Sequence, residues 1–283
     1  MKYCRFLYED QTLYGAVEDR DGEPWIVDLI RAPDEDLAFL LEHGRSTALG
    51  LGFEPLPLSA GELLAPVTPS KIICVGRNYR DHVKEMGSDL PTEPLLFFKP
   101  VSALLAPGGI VRMPSASARV DYEGELAVVI GRRVRNLKEE DWRSAVRGYT
   151  LANDVTARDL QNSDGQWTRA KGFDTFCPVG PMVSDEVDPA TGVTLETRVN
   201  GELRQHGSTL DFIFQIPKLL AYISTAITLE AGDLVLTGTP SGVGALKATG
   251  NTAVTVKLRT SNWVFSDQRP AAPMSKFVLS SYL

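Results

Sequence analysis

The stretch Arg119–Gly131, RVDYEGELAVVIG, sets three carboxylates on alternate residues and then runs straight into an apolar segment. Successive side chains on a strand point to opposite faces, so Asp121, Glu123 and Glu125 share one face while Tyr122, Gly124 and Leu126 share the other. The acid face continues as Ala127 and Val129, whereas a solvated face would stay polar along its length. The chain must therefore build a core around a strand whose mouth carries concentrated negative charge. Like charges at a half-buried lip raise one another's proton affinity, and a hard divalent cation relieves the repulsion. A further oxygen ligand comes from GYTLANDVTARD, where Asp154 ends an apolar, strand-like segment and can project from its tip. No Cys or His stands beside these acids, so the donor chemistry favours Mg2+ or Mn2+ over Zn2+. An E-x-E pair on an exposed sheet edge is the competing reading and stays open at this point.

A chain of 283 residues accommodates such a core as one large domain with a small appendage, or as two equal domains. Its 43% hydrophobic and 23% charged residues lie in the ordinary globular range. The formal charge of -7, without any block of Lys or Arg, argues against nucleic acid or an anionic membrane as partner, although a local positive site can still take a small acid. The opening MKYCRFLYED lacks the apolar core and cleavage site of a signal peptide, and no apolar run approaches the roughly 20 residues of a membrane span, so a cytoplasmic protein is expected. Cys4, Cys74 and Cys177 are odd in number and never spaced C-x-x-C, which argues against a disulfide frame or a thiolate metal site.

Along the chain, RFLYEDQTLYGAVEDRDGEPWIVDLI predicts two strands around an Asp21-Gly22 turn, and DEDLAFLLEHG predicts a helix capped by Gly44. These form a small N-terminal module over residues 1–66, separated by a Pro-, Gly- and Ser-containing stretch from a larger domain over 67–283. Beyond it, PLLFFKP, GELAVVIG, VRGYTLANDV, PVGPMVS, LETRVNGELRQ, DLVLTGTP and TAVTVKL read as strands, and KEEDWRSAV and IFQIPKLLAYIS as helices. The pattern suits a β-rich α+β roll or sandwich better than a βαβ repeat.

GRNYRDHVKEMG predicts a helix of about two turns, with Asn78 as N-cap and Gly87 as stop. Tyr79, Val83 and Met86 form one stripe, Arg80 and Lys84 point away, and His82 and Glu85 stack three residues apart on the flank. A carboxylate beside imidazole orients it and raises its basicity, as a water-activating pair requires; a surface His-Glu pair is the alternative. So short a helix is marginal alone and is expected to order on ligand binding, as a lid. TGTPSGVGAL lacks the Lys-Ser/Thr of a phosphate loop and reads as tight turns near the pocket, while His43 and His206 read as surface residues.

Six segments in register, KIICVGRNYRDHVKEMG, PLLFFKPVSALLAPGG, DYEGELAVVIG, GYTLANDVTARDLQ, AKGFDTFCPVGP and DLVLTGTPSGVG, together resemble the fumarylacetoacetate hydrolase family over about Lys71 to Val243. The resemblance implies an α+β, β-rich mixed sandwich roll beside the small N-terminal α/β module, and Mg2+ or Mn2+ held by Glu123, Glu125 and Asp154. It implies a His82-Glu85 general-base dyad on a mobile lid, Lys171 as the group that binds or polarises substrate, and Arg77, Tyr79, Gln161 and Thr239 along the pocket. Asp121 matches no ligand and is expected to support the site structurally. The implied activity is metal-dependent hydrolysis of a carbon-carbon bond in an acylpyruvate through a metal-stabilised pyruvate enolate, with decarboxylation or isomerisation of oxaloacetate- or hydroxymuconate-type 2-oxo acids as alternatives. A non-catalytic metal-binding protein on the same scaffold would not need His82, Glu85 and Lys171 together. A homodimer is expected from the resemblance. The tail departs from it: Asn251 stands where relatives carry Asp, a strand is expected to about Arg259, and no counterpart is expected for the tail from Thr260 onward.

Overall fold

A computed structural model of the chain describes residues 1–32, 53–247, 252–259 and 279–282. The helix expected at DEDLAFLLEHG, with His43, and most of the tail lie outside the described residues. The N-terminal strands are β1 (Lys2–Tyr8), β2 (Gln11–Arg20) and β3 (Glu23–Ile30). Asp21 and Gly22, both at positive φ (55° and 84°), join β2 to β3 as a two-residue turn whose twist matches the hairpin. Next come β4 (Ile72–Gly76), β5 (Leu95–Lys99), β6 (Val120–Tyr122), β7 (Gly124–Ile130), β8 (Val146–Asn153) and β9 (Cys177–Ser184). They are followed by β10 (Thr194–Val199), β11 (Glu202–Ser208), β12 (Leu234–Leu236), β13 (Val254–Arg259) and β14 (Leu279–Tyr282).

The main sheet runs β3-β2-β1-β9-β8-β7-β12-β4-β5, and all these neighbours are antiparallel except β12 and β4. The N-terminal hairpin joins it through β1, which pairs with β9. The segment read as a linker adds two short strands, Leu56–Pro57 beside β3 and Glu62–Leu64 beside β1. A second sheet, β11-β10-β13-β14, packs over β7, and β6 forms a small third sheet with Thr156–Ala157 and Gly244–Ala245.

Alternation along β7 divides the interior in two. Leu126, Val128 and Ile130 point toward Leu195, Val256 and Leu258 of the second sheet and toward Leu219, Leu220 and Ile223 of the long helix Ile216–Ala226. Ala127 and Val129 point the other way, toward Ile72, Cys74, Val179 and Leu236. Each fully buried aliphatic side chain contributes about 1.5–3 kcal/mol, so a one-residue slip of β7 would expose both sets at large cost. Gly124 is where the sheets touch: a Cβ there would stand 2.1 Å from Thr197 Oγ1. That contact draws the acid-bearing end of β7 inward.

The α-helices among the described residues are α1 (Arg80–Glu85), α2 (Arg158–Ser163), α3 (Thr168–Lys171) and α4 (Ile216–Ala226). KEEDWRSAV is a 3-10 segment, Glu139–Ala145, rather than an α-helix; its buried Trp142 and Ala145 stand three apart, the spacing a 3-10 turn keeps in line. Asn78 is not the N-cap of α1. Tyr79 occupies that position without a side-chain bond, because the Asn78 amide is buried and engaged elsewhere. Among the described residues, no helix is long and apolar enough to cross a membrane.

Candidate active site

The chain changes sheets at Glu123, between β6 and β7, and this break turns the acids inward. The Glu123 N–H donates to Asn153 Oδ1 at 2.8 Å, and the Asp154 N–H donates to the Glu123 carbonyl at 2.8 Å. Main-chain bonding therefore sets Asp154 opposite Glu123 at the end of β8. One carboxylate oxygen from each of Glu123, Glu125 and Asp154 lies within 4.8 Å of the others, and all three residues are at most 4% exposed. That excludes the exposed-edge reading of the E-x-E pair.

Buried carboxylates at such spacing require compensation. Lys171 Nζ, at the end of α3, donates to Glu123 Oε2 at 2.8 Å and Asp154 Oδ2 at 2.5 Å. Lys99 Nζ, the last residue of β5, donates to Asp154 Oδ1 at 2.6 Å and to the Val155 carbonyl at 3.1 Å. Arg158, opening α2, donates to Glu123 Oε1 through Nη2, to Asp121 Oδ2 through Nε at 2.9 Å, and to Gln161 Oε1 through Nη1 at 2.5 Å. Asp121 also accepts from Arg119 at 2.9 and 3.2 Å, so it steadies Arg158 rather than facing the other acids.

Glu125 differs. Its one hydrogen-bond donor among the described residues is the Gly238 N–H at 2.7 Å. Burial, with Asp154 and Glu123 beside it, pushes its carboxyl well above the usual carboxylate range. Burial also works against an ionised Glu123, but Lys171 and Arg158 outweigh it and hold that carboxyl well below the range. The three oxygen donors thus include one carboxyl, Glu125, that no cation of the described residues pairs with, and an oxygen-only set of this kind fits a hard divalent cation.

Beside the acids, His82 Nδ1 lies 3.1 Å from Glu85 Oε2 on α1. The Gly242 N–H donates to both Glu85 oxygens at 3.0 and 3.2 Å. The turn-rich segment TGTPSGVG accordingly fixes two carboxylates, Glu125 through Gly238 and Glu85 through Gly242. Asn78 supports it from below: Nδ2 donates to the carbonyls of Thr237 at 2.8 Å and Phe214 at 3.1 Å, and Oδ1 accepts from the Phe214 N–H at 2.8 Å.

These groups face a cavity of about 260 Å³. Glu123, Glu125, Asp154, His82, Arg158 and Lys171 line it, with Phe97, Trp167 and Met86 as an apolar wall. Arg77, Gln161 and Thr239 reach it as well; the Thr239 hydroxyl donates to the Gly124 carbonyl at 2.9 Å and accepts from Gln205 at 2.7 Å. Tyr79, expected along the pocket, is not brought there. It is 2% exposed, its ring edge-on to Phe212 at 4.9 Å, because its stripe of α1 faces the core. Met86, expected on that stripe, is 40% exposed and turns to the cavity mouth. Lys99 and Arg158 were not singled out by the sequence reading. Their signal was a lone basic residue closing an apolar strand or following an acid-bearing one, legible only once three buried carboxylates demand partners.

A β-rich fold that floors one cavity with buried acids and holds an oriented imidazole at its side is the architecture of an enzyme. The chain belongs to the fumarylacetoacetate hydrolase family: the family's description "Fumarylacetoacetate (FAA) hydrolase C-terminal" matches residues 71–269. It is 48% identical over 248 residues to the oxaloacetate tautomerase YisK of Bacillus subtilis, covering 84% of this chain and 79% of that protein. Among solved structures it resembles 5-carboxymethyl-2-hydroxymuconate delta-isomerase from Mycobacterium smegmatis, with a TM-score of 0.80, 33% identity and 99% of both chains covered. It likewise resembles 2-hydroxyhepta-2,4-diene-1,7-dioate isomerase from Mycobacterium marinum, with a TM-score of 0.80, 34% identity, and 99% of this chain and 98% of that one covered.

Proposed function

We propose that this protein is a divalent-metal-dependent tautomerase or isomerase of small 2-oxo dicarboxylic acids of the oxaloacetate type. The observation that carries the reading is His82, backed by Glu85, standing on the same cavity as the three buried carboxylates. Glu85 accepts at Nδ1 and so favours the tautomer with its proton there, leaving Nε2 as the basic nitrogen. His82 takes a proton from the carbon next to the 2-oxo group. The C–H electron pair becomes the new C=C bond, the carbonyl pair moves to oxygen, and the same proton returns there as the enol O–H. Glu123, Glu125 and Asp154 would hold a divalent cation, Mg2+ or Mn2+, which would supply positive charge to stabilise negative charge on the substrate's oxygens. Lys171, already bonded to two of those acids, is placed to steady negative charge that develops on substrate oxygen. The apolar wall of Phe97, Trp167 and Met86 limits water around the reacting carbon. The names of the relatives support proton transfer over the hydrolysis expected from sequence.

One observation favours a second reading. An imidazole backed by a carboxylate that is itself held by a backbone N–H is also a water-activating pair, suited to cleaving an acylpyruvate. Hydroxide would add to the distal carbonyl, and the adjacent carbon-carbon bond would break to give a carboxylic acid and pyruvate enolate.

The test follows the ultraviolet absorbance of enol oxaloacetate with Mn2+-loaded protein, with carbon dioxide release and acid release from acetylpyruvate measured in parallel. Enol decay should accelerate over buffer and fall by about 100-fold or more in His82→Gln, the scale of a lost general base. Acid release without enol decay would replace this reading with hydrolysis. Acceleration of none of the three overturns both.

A further inference from the structure

The inner end of the cavity is rich in cations, but those cations are engaged. Lys171 is bonded to Glu123 and Asp154, and Arg158 to Glu123, Asp121 and Gln161. Arg77 is different: it lines the same cavity, is exposed, and makes no ion pair or side-chain hydrogen bond among the described residues. Its backbone has φ of 57°, the left-handed region that a long side chain seldom adopts. On one side Gly76 lies against Trp167, where a Cβ would stand 2.8 Å from the indole. On the other, Asn78 is locked by bonds to Thr237 and Phe214, and its carbonyl accepts from the Ile213 N–H at 2.8 Å. A disfavoured backbone held rigidly from both sides is a strained feature that its surroundings enforce, and such features cluster where a side chain must be aimed.

We infer that Arg77 is the specificity-determining residue that takes the distal carboxylate of a dicarboxylic substrate. The inference deepens the 2-oxo acid reading above and rests on it for the orientation of the bound acid. The 2-oxo carboxylate lies toward Glu123, Glu125 and Asp154. A second carboxylate, a few bonds farther out, then meets a planar guanidinium at the cavity wall that no carboxylate among the described residues neutralises. A monocarboxylic 2-oxo acid of equal length leaves Arg77 unmatched.

The experiment is isothermal titration of the Mn2+-loaded protein with N-oxalylglycine and with N-ethyloxamate, which replaces the distal carboxylate by a methyl group. Neither has a hydrogen on the atom next to the oxo carbon that could be shifted to carbon-carbon enol form. Wild type should bind N-oxalylglycine at least about tenfold more tightly, the scale of one charge-assisted hydrogen bond. Arg77→Asn, which tolerates a left-handed backbone, should bring that ratio close to one, and Arg77→Gln is the second variant if the first folds poorly. A wild type that binds both ligands alike, or neither, overturns the inference, as does a variant that keeps the ratio. Turnover of oxaloacetate is scored separately. A ratio that collapses in the variant while wild type turns over none of the test substrates refutes the reaction and leaves the carboxylate contact standing.

Discussion

Lys99→Met tests the charge balance of the site most directly. The ammonium of Lys99 and the carboxylate of Asp154 are 0% and 1% exposed, so their attraction is scarcely screened by salt. Methionine fills nearly the same volume but leaves Asp154 Oδ1 and the Val155 carbonyl without their Lys99 donor. Removing one partner of a buried pair costs about 3–5 kcal/mol. The lower end applies here because Lys171 still donates to Asp154 Oδ2. Losing the bond to the Val155 carbonyl adds about 1 kcal/mol, for a total near 4 kcal/mol. At roughly 2–4 °C per kcal/mol for a chain of this size, the metal-free protein should melt about 8–16 °C lower. The assay is thermal and urea unfolding of chelator-treated protein, repeated at saturating Mn2+. A ligand at 100 times its Kd stabilises by about 2.7 kcal/mol, and the variant should gain more than wild type because Asp154 then lacks one of its two cations. A loss under about 2 °C without metal, or a smaller gain from Mn2+ in the variant, would refute the argument.

Two further outcomes follow from the same geometry. Glu125→Gln removes the carboxylate with no cation partner among the described residues and keeps an oxygen for the Gly238 N–H. The metal-free variant should therefore be more stable than wild type by roughly 1–3 kcal/mol in urea titrations and should lose most stabilisation by Mn2+; a lower urea midpoint counts against it. The thiols of Cys4, Cys74 and Cys177 are all buried, and burial pushes those of Cys4 and Cys177 up to about 12. A disulfide reagent at pH 8 should find no fast-reacting thiol in the native protein and three after unfolding in guanidinium; a rapid native reaction would show that one of them reaches solvent.

What could be read from the sequence was local. The Asp21-Gly22 turn, the alternation of Leu126–Ile130 and the Val254–Leu258 strand each carry their signal within a few residues. The acid cluster was legible for the same reason, since Glu123 and Glu125 advertise their shared face and Asp154 ends its own strand. Misreadings arose where a side chain's partners are distant. Asn78 looks like a helix cap from its neighbours, but its amide serves Phe214 and Thr237, which are 136 and 159 residues away. Lys99 and Arg158 find their carboxylates 55 and 35 residues away, so nothing nearby marked them. Tyr79 sat on the apolar stripe, and a stripe gives its facing direction only when the neighbouring sheet is known. The 3-10 segment at Glu139–Ala145 reflects how Trp142 and Ala145 must dock, which propensity does not encode.

The loop from Thr237 to Gly242 sends the Gly238 amide to Glu125 and the Gly242 amide to Glu85, four residues apart along a single backbone. Placement of the Glu125 carboxyl and orientation of the His82 imidazole through Glu85 thereby share one mechanical support. A substitution that shifts this loop would move both properties in step, so selection for a new reaction on this scaffold has little freedom to alter one while preserving the other. The side chains of Arg77 and Trp167 line the same cavity without a bond to Glu125 or Glu85, so that part of the wall is freer to vary.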